Sequence, residues 1–453
     1  MLEKVRWQFL GCLAAALLAA CAGPATREQA FPPVVFVHGN GDTAALWTTT
    51  VWRFESNGWP RERLFALDAP FPLARSEDAK PQEGRTGTAE HMAQLAAEVE
   101  RVRKLTGAGR VVLIGNSRGG NAIRNYVRNG GGASTVSHAI LGGVPNHGVW
   151  VSDTFLPTSE FNGAGPFLRA LNSPQGPRGL EVTPGVRFLT LRSDKLDKFA
   201  QPMGNWIGQP KMETHVSFDG PALKGAENVV LPGRDHRETS FHPEAFAVAY
   251  RFLTGSSPSA QIVPEAAPVL EGRITGFQGN NPTNLPLAGA SVAVYEVSSQ
   301  TGERLGAAVH EKTVAADGQW GPFRARPDAY YEFVIRAEGF ATTHIYRSPF
   351  PRSSTLVHMR PARVSDADRA AGGSFVAMSR PRGYFGVGRD RMSLDGMSPP
   401  PGLAPGVPGV SLSRTRIADA KPRAVVCELN GERIVARSWP AAEGHAVIAE
   451  FHY

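Results

Sequence analysis

The segment VVLIGNSRGG, residues 111–120, joins a run of apolar residues to a helix through a single serine. The four residues from Val111 to Ile114 are typical of a strand that is covered on both faces of a sheet. The pentapeptide G-x-S-x-G follows at residues 115–119, and residues 121–127 have the pattern of an amphipathic helix. Glycines on both sides let the strand and the helix approach closely, so the segment predicts a sharp turn that presents the hydroxyl of Ser117 above a sheet edge. The alternative is an ordinary glycine-rich turn with an idle serine.

The composition describes a folded protein with more than one domain. The chain has 453 residues, of which 42% are hydrophobic and 20% are charged, with 49 glycines and 36 prolines. This length exceeds one ordinary core, and the glycine and proline content favours turns and β-rich regions. The net charge of +7 comes from scattered Lys and Arg without a basic run, so nucleic acid is not an expected partner.

The N-terminus has the pattern of an export signal. Basic residues precede an apolar run, residues 10–20, that is too short for a comfortable membrane span. The tetrapeptide LAAC at residues 18–21 resembles the bacterial lipobox, so residues 1–21 are predicted to be a lipoprotein-type signal peptide with Cys21 as the lipidation site. The expected location is the cell envelope, with a lipid anchor in the membrane. Cleavage as a plain signal peptide, which gives a periplasmic or extracellular protein, is the alternative.

Changes in composition divide the rest of the chain into four segments. Residues 31–255 alternate strand-like and helical patterns, which predicts an α/β domain with a mostly parallel sheet and helices on both faces. Residues 256–268 are rich in Ser and Pro and indicate a linker. Short alternating strands predict a β-sandwich over residues 269–360. Residues 361–453 are a further β-rich region that either stands alone or completes the sandwich.

Further residues with catalytic chemistry follow two of the predicted strands. A serine becomes a good nucleophile only when a base accepts its proton and a third group orients that base. The loop after the strand at residues 186–191 contains Asp194 and Asp197, and the loop after the strand at residues 229–231 contains His236. We predict His236 as the base and Asp197 as the acid, because Asp197 lies further from the strand end. Asp194 is the rival acid.

A second glycine-rich turn is typical of an oxyanion hole. The sequence His38-Gly39-Asn40-Gly41 directly follows a strand of buried type at residues 34–37. Glycines let the backbone approach a substrate, so the amide of Asn40 is predicted to face the developing negative charge, with the amide of Arg118 as the second donor. The alternative is a turn without a catalytic role.

Four motifs together resemble the bacterial α/β-hydrolase lipases and esterases, in particular the class 2, Bacillus-type lipases. The motifs are VVFVHGNGD, VVLIGNSRGG, LGGVPNHGV and GAENVVLPGRDH, and the resemblance covers residues 31–255. It implies an α/β-hydrolase fold and ester hydrolysis through an acyl-enzyme. It also implies Ser117 as the nucleophile, His236 as the base and the amides of Asn40 and Arg118 as oxyanion donors.

The chain departs from that family at Asn116, where histidine is frequent. Residues 269–360 are similar to the carboxypeptidase-regulatory or transthyretin-like β-modules that are appended to secreted enzymes. The insertion at residues 146–186 carries several aromatic side chains, which form either a lid or acyl pocket or a simple cover for the sheet.

The resulting prediction is a secreted serine carboxylesterase or lipase that acts on an ester or lipid substrate. No cofactor is expected, because the sequence has no H-E-x-x-H or C-x-x-C metal-ligand spacing and no phosphate-binding loop. One alternative is a polyester depolymerase whose β-rich tail grips the polymer. Another is a non-catalytic envelope binding protein on a hydrolase scaffold.

Overall fold

The computed structural model describes residues 31–453, so the predicted signal peptide and Cys21 lie outside the described residues. The first half of this range alternates strands and helices. In chain order they are β1 (Val34–Val37), α1 (Thr48–Ser56), β2 (Leu64–Leu67), β3 (Leu73–Ala74), β4 (Arg85–Thr86), α2 (Thr88–Thr106), β5 (Val111–Asn116), α3 (Arg118–Asn129), α4 (Gly132–Thr135), β6 (Val136–Gly142), α5 (Pro166–Leu171), β7 (Arg187–Ser193), β8 (Met203–Gly204), β9 (Gln209–Glu213), β10 (Glu227–Leu231), α6 (Glu238–Phe241) and α7 (Pro243–Thr254).

Six of these strands form one sheet in the order β10-β7-β6-β5-β1-β2. Every neighbouring pair is parallel, and β5 lies inside the sheet with all of its residues buried. The predicted parallel sheet is therefore confirmed. Because parallel strands end at the same edge, the loops after β1, β5, β7 and β10 meet there.

Alternate residues of the central strands face two separate hydrophobic cores. In β1, Phe36 packs with the aromatic residues of α1 and α7, whereas Val35 packs with α2 and α3 on the other face. Successive side chains of a strand point to opposite faces, and burial on both faces explains why β1 and β5 are continuous apolar runs. The helices thus fix the sheet from both sides and hold its carboxyl edge in place.

The second half of the described chain is dominated by strands. In chain order its elements are β11 (Val269–Leu270), β12 (Thr275–Gln278), β13 (Asn281–Pro286), β14 (Ser291–Val297), β15 (His310–Thr313), β16 (Phe323–Arg324), β17 (Tyr330–Arg336), β18 (Thr342–Arg347), α8 (Asp366–Ala371), β19 (Ser374–Ser379), β20 (Met392–Leu394), β21 (Leu412–Ile417), β22 (Ala424–Leu429), β23 (Glu432–Arg437) and β24 (His445–Glu450).

One seven-stranded sheet, in the order β15-β14-β17-β18-β24-β19-β21, draws strands from both sides of residue 360. The last strand, β24, lies between β18 and β19 and is parallel to both. The two β-rich segments therefore share a sheet, so residues 361–453 extend the preceding β structure rather than stand apart from it.

The β region packs directly against the α/β domain. Trp52 of α1 is fully buried within a core cluster of the β region, and its Nε1 donates to the carbonyl oxygen of Ser353 at 2.9 Å. Asn284 donates to the carbonyl oxygen of Ala69 at 2.9 Å. Buried aromatic and hydrogen-bonded contacts of this kind hold the two parts in one arrangement.

Among the helices of residues 31–453, none is both long and apolar enough to cross a membrane.

Cys427 is a free thiol on β22, and burial raises its pKa well above the ordinary value. A buried neutral thiol is a small apolar core residue rather than a nucleophile.

Candidate active site

Ser117 is the single residue between a strand and a helix. β5 ends at Asn116 and α3 begins at Arg118, and Ser117 has φ 52° and ψ −124°. A non-glycine residue in this region of backbone space is strained, and such strain occurs where a fold must present a side chain in one direction. This is the geometry of a nucleophile elbow, in which the serine hydroxyl stands above the carboxyl edge of the sheet.

Glycines make room for this turn. A Cβ atom added at Gly115 would lie 2.6 Å from the side chain of Ile123, and one at Gly119 would lie 2.5 Å from a backbone carbonyl just after β1. A Cβ atom at Gly39 would lie 3.1 Å from Cβ of Ser117. The strand, the helix and the turn after β1 can therefore approach the serine this closely only because these positions lack side chains.

The side chain of Asn116 ties the serine turn to its neighbours. Its Nδ2 donates to the carbonyl oxygen of Gly142 at 3.1 Å and to Oγ of Ser240 at 2.8 Å, with a longer contact of 3.4 Å to the carbonyl oxygen of His236. The side chain is buried, so these bonds satisfy a donor that would be costly to leave unpaired. Asn116 thus links the serine turn to the segment that contains His236.

His236 and Asp197 are in direct contact. Nδ1 of His236 lies 2.9 Å from Oδ2 of Asp197, and the two side chains are 3% and 11% exposed. The second carboxylate oxygen of Asp197 accepts the amide of Phe199 at 2.8 Å, and the Phe199 ring packs edge-on against the imidazole with 4.8 Å between the ring centroids. The carboxylate therefore fixes the ring orientation and directs Nε2 away from itself.

Asp194, the rival acid, supports the same loops without touching the imidazole. Its Oδ2 accepts the amide of Gly233 at 2.9 Å, and its Oδ1 accepts the amide of Leu196 at 3.1 Å. It therefore joins the loop after β7 to the loop after β10. The structure brings Asp197, and not Asp194, to His236.

Ser117 and His236 line one cavity of about 340 Å³. Within residues 31–453, the Ser117 hydroxyl and the His236 imidazole make no hydrogen bond to each other. Catalytic hydrogen bonds are often long in a site without substrate and tighten only when substrate binds. The two side chains share a space that a substrate can enter.

The turn after β1 orients the amide of Asn40. Nδ1 of His38 donates to the carbonyl oxygen of Gly39 at 2.8 Å, because its Nε2 accepts the amide of Ala69 at 3.1 Å. The carbonyl and the N–H of a trans peptide point in opposite directions, so the Asn40 amide points away from the His38 ring. Asn40 also lines the cavity, and its side-chain oxygen is engaged with the amide of Ala74 at 2.7 Å.

The side chain of Arg118 anchors the start of α3, a role that the sequence did not reveal. The buried guanidinium donates to Oε1 of Glu160 at 2.8 Å, to the carbonyl oxygen of Pro72 at 3.0 Å, and to the carbonyl and hydroxyl oxygens of Thr86 at 2.7 and 3.0 Å. Burial raises the pKa of Glu160, and the positive charge of Arg118 opposes that rise. The backbone amide of Arg118 is the second predicted oxyanion donor. It therefore belongs to a residue whose side chain is hydrogen-bonded to three other residues.

The insertion at residues 146–186 contributes both to the cavity and to the core. Trp150 and Phe161 line the cavity that contains Ser117. Leu168 and Leu171 of α5 are buried and do not line it. The insertion therefore supplies part of the cavity wall and part of the buried interior.

Charged and aromatic residues that sequence reasoning missed also line this cavity. Nζ of Lys198 lies 4.1 Å from the ring centroid of Tyr384 and donates to the carbonyl oxygen of Gly409 at 3.0 Å. Burial lowers the pKa of Lys198 to about 8. Arg237 is paired with Asp42 at 3.3 Å. Tyr384 belongs to the β region and lines the cavity, so that region forms part of the cavity wall.

A second cavity of about 340 Å³ shares Asp197, Phe199 and His236 with the first. Its remaining wall includes the loop at residues 215–223. The imidazole therefore borders two cavities.

Among the described residues, no group of three or more His, Cys, Asp or Glu side chains is placed to hold a metal ion.

The parallel sheet, the strained serine turn after β5 and the histidine after the last strand of that sheet are the arrangement of an α/β-hydrolase fold. Residues 32–163 match the family described as lipase (class 2), and residues 268–364 match the lipase C-terminal domain. The resemblance to class 2 lipases that the motifs indicated is therefore confirmed. The match to the class 2 lipases supports a carboxylic-ester hydrolase.

Solved structures of lipases are also similar to this chain. Lipase B of Aspergillus fumigatus is 17% identical with a TM-score of 0.35, and the match covers 53% of this chain and 56% of that one. The propeptide form of Bacillus licheniformis lipase BlEst2 is 14% identical with a TM-score of 0.37, covering 90% of this chain and 92% of that one. Its mature form is 17% identical with a TM-score of 0.34, covering 50% of this chain and 92% of that one.

Proposed function

We propose that the protein is a serine carboxylesterase or lipase in which Ser117 is the nucleophile, His236 the base and Asp197 the orienting acid. The observation that carries this proposal is the 2.9 Å contact between His236 and Asp197 beside the cavity that Ser117 lines on its strained turn. The family matches support ester hydrolysis in general, and this geometry supports the serine mechanism in particular.

The chemistry follows from the positions of these groups. Nε2 of His236 accepts the proton of the Ser117 hydroxyl as Oγ attacks the carbonyl carbon of the ester. The carbonyl oxygen becomes an oxyanion, which the amides of Asn40 and Arg118 stabilise by hydrogen bonds. The intermediate collapses when the imidazolium gives its proton to the departing alcohol, and an acyl-enzyme remains. Water then attacks the acyl carbon by the same two steps and releases the acid.

Export and anchoring are part of the same proposal. The basic residues and the short apolar run before LAAC at residues 18–21 support a lipoprotein-type signal peptide, with an acyl chain on Cys21. The α/β domain would then begin near residue 31, and the protein would act at the cell envelope on an ester or lipid substrate. Residues 256–268 would link it to the β region.

Covalent labelling tests the serine mechanism. A fluorophosphonate probe should modify Ser117, because only an activated serine beside an oxyanion hole reacts quickly with it. Mass spectrometry of the labelled chain should find the adduct on Ser117, and labelling should remove hydrolysis of p-nitrophenyl butyrate in proportion to its extent. Adducts on other serines, or full labelling without loss of hydrolysis, would contradict the proposal.

The lowered pKa of Lys198 predicts that the protein's preference for anionic esters depends on pH. Its pKa of about 8 leaves the ammonium charged at pH 7 and mostly neutral at pH 9. An ester with a carboxylate should gain from the charged form only. We expect the ratio of kcat/KM for p-nitrophenyl hemisuccinate to that for p-nitrophenyl butyrate to fall about fivefold as pH rises, which corresponds to the roughly 1 kcal/mol of a partly exposed ion pair.

The matched control for this prediction is on the same loop. Lys198→Met should make the ratio low and independent of pH, whereas Lys195→Met, which alters an exposed lysine, should keep the pH dependence. A ratio that does not change between pH 7 and pH 9 in the parent protein would contradict the assignment.

A further inference from the structure

Two arginines of the β region reach the loop that contains His236. Nη1 of Arg389 lies 2.9 Å from Oε2 of Glu238, and its Nη2 lies 3.3 Å from Oδ2 of Asp235. Nη2 of Arg380 lies 2.6 Å from Oε1 of Glu238, and its Nη1 lies 3.5 Å from Oδ2 of Asp235. Both carboxylates are thus shared between the same two guanidinium groups, which we call the arginine clamp.

The charges of this cluster depend on one another. The side chains of Asp235 and Glu238 are 0% and 3% exposed, and that of Arg380 is 4% exposed. Burial and the neighbouring Glu238 raise the pKa of Asp235, and the two guanidinium groups oppose that rise. Charges without partners are costly in a dry interior, so the two guanidinium groups and the two carboxylates stabilise one another.

The two carboxylates are also bonded to the backbone on each side of His236. Oδ1 of Asp235 accepts the amides of Arg237 and Glu238 at 2.9 and 3.0 Å. Oε2 of Glu238 accepts the amide of Asp235 at 2.9 Å. Any movement of the carboxylates therefore moves the short backbone segment that contains the imidazole.

The clamp adjoins the cavity wall. Oδ2 of Asp235 accepts the amide of Tyr384 at 2.9 Å, and Tyr384 lines the cavity of Ser117 and His236. The carbonyl oxygen of Tyr384 accepts both Arg380 and Arg389 at 2.6 Å. One network thus fixes a wall residue from the β region and the histidine loop from the α/β domain.

We propose that Arg380 and Arg389 are positioning residues for His236, so that the β region completes the catalytic unit. This inference rests on the proposed role of His236 as the base. The clamp acts through Asp235 and Glu238 and does not touch the substrate. A displacement of about 1 Å in a catalytic group can cost about 10²-fold in rate, so a shared buried network next to the base has a direct effect on turnover.

The test uses the full chain with Arg389→Lys, which keeps the charge and removes the fork that spans both carboxylates. The matched control is Arg423→Lys, which alters an exposed two-point contact with Asp395 in the same region. We expect Arg389→Lys to lower kcat for p-nitrophenyl butyrate about tenfold or more with KM changed less than twofold. Fluorophosphonate labelling of Ser117 should slow in parallel. Arg423→Lys should change neither.

The measurements are made at least 15 °C below the thermal unfolding midpoint of each variant, so that loss of folded protein does not mimic loss of turnover. If Arg389→Lys does not fold, Asp390→Asn replaces it, because Asp390 contacts Nη2 of Arg389 at 2.8 Å and orients it without entering the shared carboxylate pair. An unchanged kcat in the folded variant, or a rise in KM alone, would overturn the inference. If hydrolysis persists when Ser117 is removed, the proposed function fails instead, so the two failures are distinguishable.

Discussion

Replacing Ser117 with alanine should lower kcat for p-nitrophenyl butyrate by about 10⁶-fold, to the rate that substrate binding and the oxyanion amides alone can support. The reason is that Ser117→Ala removes the only atom that forms the acyl-enzyme in the proposed mechanism, while the cavity keeps its shape. The measurement is the steady-state rate at high enzyme concentration, with the pre-steady-state burst as a second reading. The burst should disappear together with turnover.

The matched control is Ser240→Ala. Ser240 is also buried near the site, where its Oγ accepts Nδ2 of Asn116 at 2.8 Å, but it does not line the cavity of Ser117. Its loss should cost about 1 kcal/mol of stability through the missing hydrogen bond and less than about tenfold in rate. If Ser117→Ala kept the activity of the parent protein, the serine mechanism would be excluded. A parent protein that hydrolyses no faster than the uncatalysed background would favour a binding function on a hydrolase scaffold.

The sequence predicted those parts of the fold that depend on local pattern. Continuous apolar strands indicate a sheet that is covered on both faces. Steric contacts alone explain the G-x-S-x-G pattern between a strand and a helix, because the glycines at 115 and 119 have no room for a Cβ atom. The chain order of the serine, the aspartates and the histidine then places all three at one edge. These inferences need no knowledge of which distant residues meet.

The sequence could not predict contacts between residues that are far apart in the chain. Arg118 and Glu160 are one example, and the arginine clamp with Asp235 and Glu238 is another. From the sequence alone, each of these side chains is expected to be an ordinary solvated charge. Only the folded chain brings them together as buried clusters. The position of β24 between β18 and β19 was equally hidden, since parallel pairing across about 100 residues leaves no local signal.

The contacts between the β region and the α/β domain change how the depolymerase alternative must be tested. Removal of residues 269–453 would separate a polymer-gripping tail from an independent esterase only if the tail were a separate module. Tyr384 lines the cavity, and Trp52 of α1 is buried among β-region side chains, so the truncation removes a cavity wall and exposes a core. Loss of activity after truncation is therefore expected for either substrate and does not distinguish the two functions.

The second large effect on turnover is expected from Asp197, one of the two aspartates in the loop after β7. Asp197→Asn should lower kcat by about 10⁴-fold, because an amide cannot hold the imidazole in the tautomer that accepts the serine proton and does not stabilise the imidazolium. KM should change little, since the carboxylate does not bind the substrate. The measurement is kcat and KM for p-nitrophenyl butyrate at pH 8.

Asp194→Asn is the matched control, three residues away on the same loop. Its carboxylate accepts the amides of Leu196 and Gly233, and an asparagine retains one of the two acceptors. We expect a loss of about 1–2 kcal/mol in the free energy of unfolding and less than tenfold in kcat. The reverse order of effects would make Asp194 the acid. That outcome would require the loop after β7 to rearrange, because the 2.9 Å contact to His236 belongs to Asp197 and Asp194 is held by its own backbone partners.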